Sequence, residues 1–160
     1  MDYCIRCQME KSDVCDGICP ECQTQIDRET EKALASANPN LGPFRGDVDM
    51  RRVNGNPGTN VPWEIVHHSP TGFEWGYGGS GPADLALNIL HQFLPPGCDG
   101  ESPVNCHKGQ ASRVAFRLHQ GFKWHFLATT PASGTRIAKE AIWGWLAGQG
   151  VPTDQITAQG

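Results

Sequence analysis

Apolar positions along the chain follow two rhythms. Leu85, Ala86, Ile89, Leu90, Phe93 and Leu94 recur at steps of three and four, the period of a helix with one buried face, until Pro95-Pro96 ends it. Pro82 suits the start of that helix and Asp84 lies in its first turn. Val114, Ala115, Leu118, Phe122 and Phe126 repeat the helical spacing further on. Thr135 is the expected cap of a last helix with Ile137, Ala138, Ile142, Trp145 and Leu146 on its inner face and Gly148 beyond its end. A weaker pattern, Ile26, Ala33 and Leu34, predicts a helix over about 23–36. The other rhythm is extended: Trp63 to His68 is β-branched and aromatic, Ser69-Pro-Thr-Gly72 has turn chemistry, and Phe73-Glu-Trp75 resumes, which together predict a hairpin. Residues 38–62 are rich in Asn, Gly and Pro, with Val48, Met50 and Val53 the only hints of a short strand.

The expected fold is α+β: a small β-hairpin or sheet packed by about three helices, preceded by an N-terminal zinc knuckle or ribbon. Residues 1–37 form the zinc-binding head and following helix, 38–62 a linker or irregular edge, 63–147 the core domain and 148–160 a tail. A chain of 160 residues has room for one modest domain and a small appendage. Met1-Asp2-Tyr3 runs straight into a cysteine pair, and no apolar run approaches the roughly 20 residues of a membrane span, so a soluble cytoplasmic protein with no membrane partner is expected.

The cysteines sharpen this picture. Seven is an odd number for a disulfide framework, and in a reducing compartment clustered cysteines hold metal. Cys4-Ile-Arg-Cys7 and Cys19-Pro-Glu-Cys22 are two C-x-x-C units, whose two-residue gap lets both thiolates of a pair reach one zinc ion at about 2.3 Å. Four such ligands close a tetrahedral site, which stabilises structure rather than catalyses. Cys15 could replace Cys19 in that set, but the paired spacing makes it a spare thiol. This head resembles a minimal zinc ribbon or treble-clef knuckle.

Gly76-x-Gly78-x-x-Gly81 satisfies the dinucleotide pattern between an extended segment and a helix. No parallel strand precedes it, and Asp84 puts negative charge where a pyrophosphate would bind. Its backbone N–H groups can still form an anion-binding concavity over Trp75, Tyr77, Gly78, Gly79, Ser80 and Gly81; alternatively the glycines only let the chain turn tightly into a helix. The stretch from Ser69 to Leu90, Ser-Pro-Thr-Gly-Phe-Glu-Trp-Gly-Tyr-Gly-Gly-Ser-Gly-Pro-Ala-Asp-Leu-Ala-Leu-Asn-Ile-Leu, resembles the signature of a small domain of unknown function carried by bacteria, archaea and their phages. The resemblance extends loosely to Phe122-Lys123 and to Ile142-Trp-Gly-Trp-Leu146. It implies a compact α+β domain and a phage or mobile-element setting, and brings no activity with it. The cysteine-rich head and the 95–110 insertion depart from the usual pattern.

Three further groups are candidates. His67, His68 and Glu74 face one another across the expected turn and can supply acid–base chemistry or a second metal site, although neighbouring histidines on a strand point to opposite faces. Cys98, Cys106 and His107 share a loop and with another His could complete a second zinc site, the alternative being a flexible loop with free thiols. Arg113, Arg117 and Lys123 with Trp124 make a basic, aromatic stripe suited to nucleic acid, although the chain's net charge of −4 opposes nonspecific binding.

These observations favour a non-enzymatic, zinc-stabilised binding protein, phage or mobile-element borne, that docks on a host protein or macromolecular complex in an anti-defence or host-takeover role. The alternatives are a small-nucleotide receptor or sponge using Gly76–Gly81, a hydrolase or transferase centred on His67 or His68 and Glu74, and a nucleic-acid-binding protein.

Overall fold

The structure, a computed structural model, describes residues 2–3, 10–11, 20–37 and 39–157. The chain divides into two compact units, Met1–Ser36 and Ala37–Gly160. In the first, β1 (Asp2–Tyr3) pairs antiparallel with β2 (Glu10–Lys11). Helix α1 (Pro20–Ala37) follows, opening on a proline, which costs nothing where the backbone N–H has no intrahelical partner.

The second unit is mixed α+β, as expected. Its sheet has the order β4-β3-β7, all antiparallel, with β3 (Val48–Val53) central, β4 (Asn56–Thr59) on one side and β7 (Arg136–Ile137) on the other. The β3–β4 hairpin lies within the stretch read from sequence as a linker or irregular edge. Asn54 and Gly55 both have positive φ, 51° and 81°, the conformation of a two-residue turn whose twist matches that of the strands it joins. Val48 and Met50 on β3 face the core.

Helix α2 (Ser80–Phe93) is enclosed on all sides, with every residue from Gly81 to Leu90 buried. Pro82 lies in its first turn, where no intrahelical donor is lost; Ala83 N–H makes the first bond, to the Gly79 carbonyl. A small pair, β5 (Val104–Asn105) and β6 (Gln110–Ala111), leads into α3 (Arg113–Phe122). Ser112 caps α3: its hydroxyl accepts from Ala115 N–H at 3.2 Å and donates to the Leu94 carbonyl at 2.7 Å.

Helix α3 does not continue regularly to Phe126. Residues Lys123–Leu127 form a π-turn, closed by Ala128 N–H on the Lys123 carbonyl at 2.8 Å. The last helix, α4 (Lys139–Gly148), starts later than the Thr135 cap predicts, because Arg136 and Ile137 are taken by β7. Its first N–H is held by a distant residue, Asp47, whose carboxylate accepts from Lys139 at 2.9 Å. That bond first, and then the Arg136 guanidinium, hold the Asp47 carboxyl below its ordinary range. The stretch expected as a tail returns to the core, with Val151 buried and Thr157 N–H on the Phe93 carbonyl.

The hairpin expected over 63–75 does not form. Those residues form no strand pair: the chain bends at His67 and His68 and turns at Pro70 and Thr71, and its backbone polar groups go elsewhere, apart from one isolated bridge between Val66 and Lys108. Asn88 on α2 accepts from Glu64 and Ile65 N–H, both at 2.9 Å, and donates to the Ile65 carbonyl at 2.8 Å. One turn earlier, the Asp84 carboxylate accepts from His67 at 3.2 Å and from His68 and Ser69 at 2.8 Å. Two side chains on a buried helix thus replace the partner strand, satisfying backbone donors that burial would otherwise strand.

Candidate functional site

The glycine loop follows from that pinned segment. Gly76 has φ of 88°, which L side chains rarely adopt, and its N–H donates to the Leu127 carbonyl of the π-turn at 2.9 Å. The remaining glycines clear room for aromatic rings. A Cβ on Gly78 would stand 2.2 Å from the Trp124 ring, and one on Gly79 would stand 2.2 Å from the Tyr77 ring. On Gly81 it would meet Glu74 Cβ at 2.7 Å. Of the three motif glycines, Gly76 supplies a positive φ, Gly78 makes room for the Trp124 ring and Gly81 for Glu74, while Gly79, outside the motif, makes room for Tyr77.

Those two rings are also open to solvent. Tyr77 is 50% and Trp124 60% exposed, and among the described residues they are the large apolar side chains left uncovered. Lys123 lies beneath them, 5% exposed, donating from Nζ to the Gly78 carbonyl at 2.9 Å and standing 4.6 Å from the Trp124 ring. At the start of the π-turn Lys123 is buried and Trp124 exposed at consecutive positions; such turns recur at functional sites. Beside the loop a cleft of about 300 Å³ is lined by Ser69, Thr71, Glu74, Tyr77 and Ser80.

Several residues of the predicted site have other occupations. Trp75 is 2% exposed, with its Nε1 donating to the Ala132 carbonyl at 3.2 Å and Arg52 over its ring at 4.6 Å, so it cannot stack on a ligand. Glu74 does not join the histidines. It forms a two-pronged pair with Arg52, at 2.7 and 3.0 Å, and Arg52 also donates to the Ala132 carbonyl. His68 instead meets His119 of α3, Nε2 to Nε2 at 2.9 Å, while His67 packs edge-on against His68 and Phe116. Burial lowers the pKa values of His68 and His119, keeping both imidazoles neutral at pH 7.

The basic stripe is divided. Lys123 is turned in to Gly78, whereas Arg113 and Arg117 line a separate cleft of about 520 Å³ with Asp99 and Glu101, and Arg113 lies 3.7 Å from Glu101. In the 95–110 loop, Cys98 and Cys106 pack against apolar clusters, where burial pushes both thiols up, and His107 is exposed. Among the described residues, no group of three or more His, Cys, Asp and Glu side chains is arranged to hold a metal. Cys4, Cys7, Cys15 and Cys19 lie outside the described residues; Cys22 is buried in the first turn of α1. No helix among the described residues is long and apolar enough to cross a membrane.

Sequence reasoning named Tyr77 and the glycines but missed how Trp124 and Lys123 complete the surface, and it missed His119. The i, i+4 pair of polar residues, Asp84 and Asn88, within an otherwise apolar helix was a readable signal that α2 holds something polar. No curated protein and no solved structure matches the chain. Residues 44–98, which run through the β3–β4 hairpin, the glycine loop and α2 but end before Trp124, match the Family of unknown function (DUF6166).

Proposed function

We propose that this chain is a non-enzymatic binding protein that docks on a protein partner through the Tyr77–Gly78–Gly79–Trp124 surface. The observation that carries this reading is the pair of exposed rings laid on glycine backbone that buried Lys123 holds at Gly78. Tyr and Trp dominate the energetics of protein interfaces because they bury much area with few rotatable bonds. The cations bonded to loop residues are engaged internally, Lys123 by Gly78 and Arg52 by Glu74, which favours a protein surface over a phosphate backbone. With the phage or mobile-element setting implied by the resemblance, the partner is a host protein.

The N-terminal unit suits a structural zinc ion held by Cys4, Cys7, Cys19 and Cys22. The segment carrying Cys4 and Cys7 joins the paired strands β1 and β2, and Cys22 lies in the first turn of α1, where the helix dipole favours a thiolate. Zinc can supply about 10–16 kcal/mol toward folding so small a unit. Native mass spectrometry of the intact chain should find one zinc, lost in Cys7→Ser; a metal-free protein with an unchanged fold would remove zinc from the account.

The docking reading is tested by quantitative affinity purification with wild type and with Tyr77→Ala/Trp124→Ala, followed by direct titration of the enriched protein. The account expects one partner whose affinity falls at least about 100-fold in the double variant, the loss of two interface anchors. Equal binding by the two forms would refute it. Tight binding to single-stranded nucleic acid that weakens steeply with salt would favour the nucleic-acid reading instead.

A further inference from the structure

The His68–His119 contact lies within electrostatic reach of Lys123, which holds Gly78, and is not used by the docking surface. Its geometry fixes who donates. The Phe116 carbonyl can only accept, so His119 carries its proton on Nδ1, and its Nε2 presents a lone pair. His68 Nε2–H is then the donor across the 2.9 Å gap, with the Gln120 amide 3.3 Å from the same acceptor. The ring centroids are 5.1 Å apart, which equals the nitrogen separation plus the two ring radii to within a few tenths of an ångström. The nitrogens therefore point straight at one another. Two imidazoles ligating one ion would instead aim their lone pairs at a third point, so the arrangement is that of a shared proton and not of a metal site.

We propose that His68 and His119 form an acid-released latch, which ties the segment 63–69 to α3 at neutral pH and opens when both imidazoles are protonated. The bond needs one bare nitrogen. A single added proton leaves N–H···N intact, whereas a second, taken from solvent, sets N–H against N–H and drives partly buried His68 outward. Groups facing the pair pull both ways. Burial opposes both protonations most; the Phe116 carbonyl at His119 and Asp84, which holds the His68 backbone, favour the charged forms, while His67 and, for His68, Lys123 of the π-turn disfavour them. Lys123 is one turn beyond His119 on the same continuous helix and holds Gly78, so release at His68 reaches the glycine loop. The latch does not depend on what that loop binds.

Imidazole nitrogen NMR of the intact chain between pH 8 and pH 5 tests this. The expected result at pH 7.5 is a scalar coupling between the two Nε2 atoms and an Nδ1–H tautomer at His119. On acidification both histidines should titrate below the ordinary value of 6.5, and the Gly78 and Gly79 amide signals should shift with the same midpoint. In His68→Gln that midpoint should vanish from the glycine signals. Absence of the coupling in wild type, with His68 titrating independently near 6.5 and the glycine amides unmoved, would overturn the latch; the wild-type spectrum decides even if the variant fails to fold.

Discussion

Two polar residues of α2 and two aromatic residues at the glycine loop stand in opposite relations to the fold. Asp84 and Asn88 are fully buried and fully occupied, holding five backbone N–H groups of the segment 64–69 between them. Tyr77 and Trp124 are half-exposed or more, and their close neighbours are glycine backbone. The first pair does work that a partner strand usually does, so its value is in stability. The second leaves apolar area in water, which folding alone disfavours, so its value is in binding. The difference separates residues that build the surface from residues that are the surface.

Breaking the first pair should have the largest effect. Asp84→Ala leaves the N–H groups of His67, His68 and Ser69 without acceptors and should cost about 3–5 kcal/mol in chemical denaturation. Asn88→Ala, with Ile65 and Glu64 left unpaired, should cost about 2–3 kcal/mol. A smaller effect comes from pH. His68, His91 and His119 have lowered pKa values in the folded state, so below 6.5 the unfolded chain binds more protons than the folded one. Stability should be full above that pH and decline as pH falls through it; a decline starting only in the carboxylate range would exclude the histidines. Smallest of all, Trp124→Ala should change stability by no more than about 0.5 kcal/mol, since the ring is mostly solvated. A large loss there would make Trp124 part of the core and erase the contrast.

Legibility in the sequence followed the same division. α2 was readable from Leu85 to Phe93, as were the apolar positions of α3 and the inner Ile142 and Leu146 of α4, because a helix written on one buried face carries its own period. The segment 63–75 reads as a hairpin because an extended chain has the same alternation whatever satisfies its backbone. The pattern records conformation, not partner. Asn54-Gly55 was a turn signal hidden among other Asn, Gly and Pro residues. The π-turn left no local trace, since one extra residue moves the buried position from Phe126 to Leu127 without changing composition. His119 could not be assigned to His68 because their meeting across 51 positions depends on tertiary packing.

Site-specific photo-crosslinking in cells tests the central claim most directly, with a benzophenone side chain at Tyr77 and, as control, at exposed Glu140 on α4. The account predicts one discrete protein adduct from position 77, abolished by Trp124→Ala and absent from position 140. No adduct at 77, or the same adducts from both positions regardless of Trp124, would contradict the assignment of this surface to a protein partner.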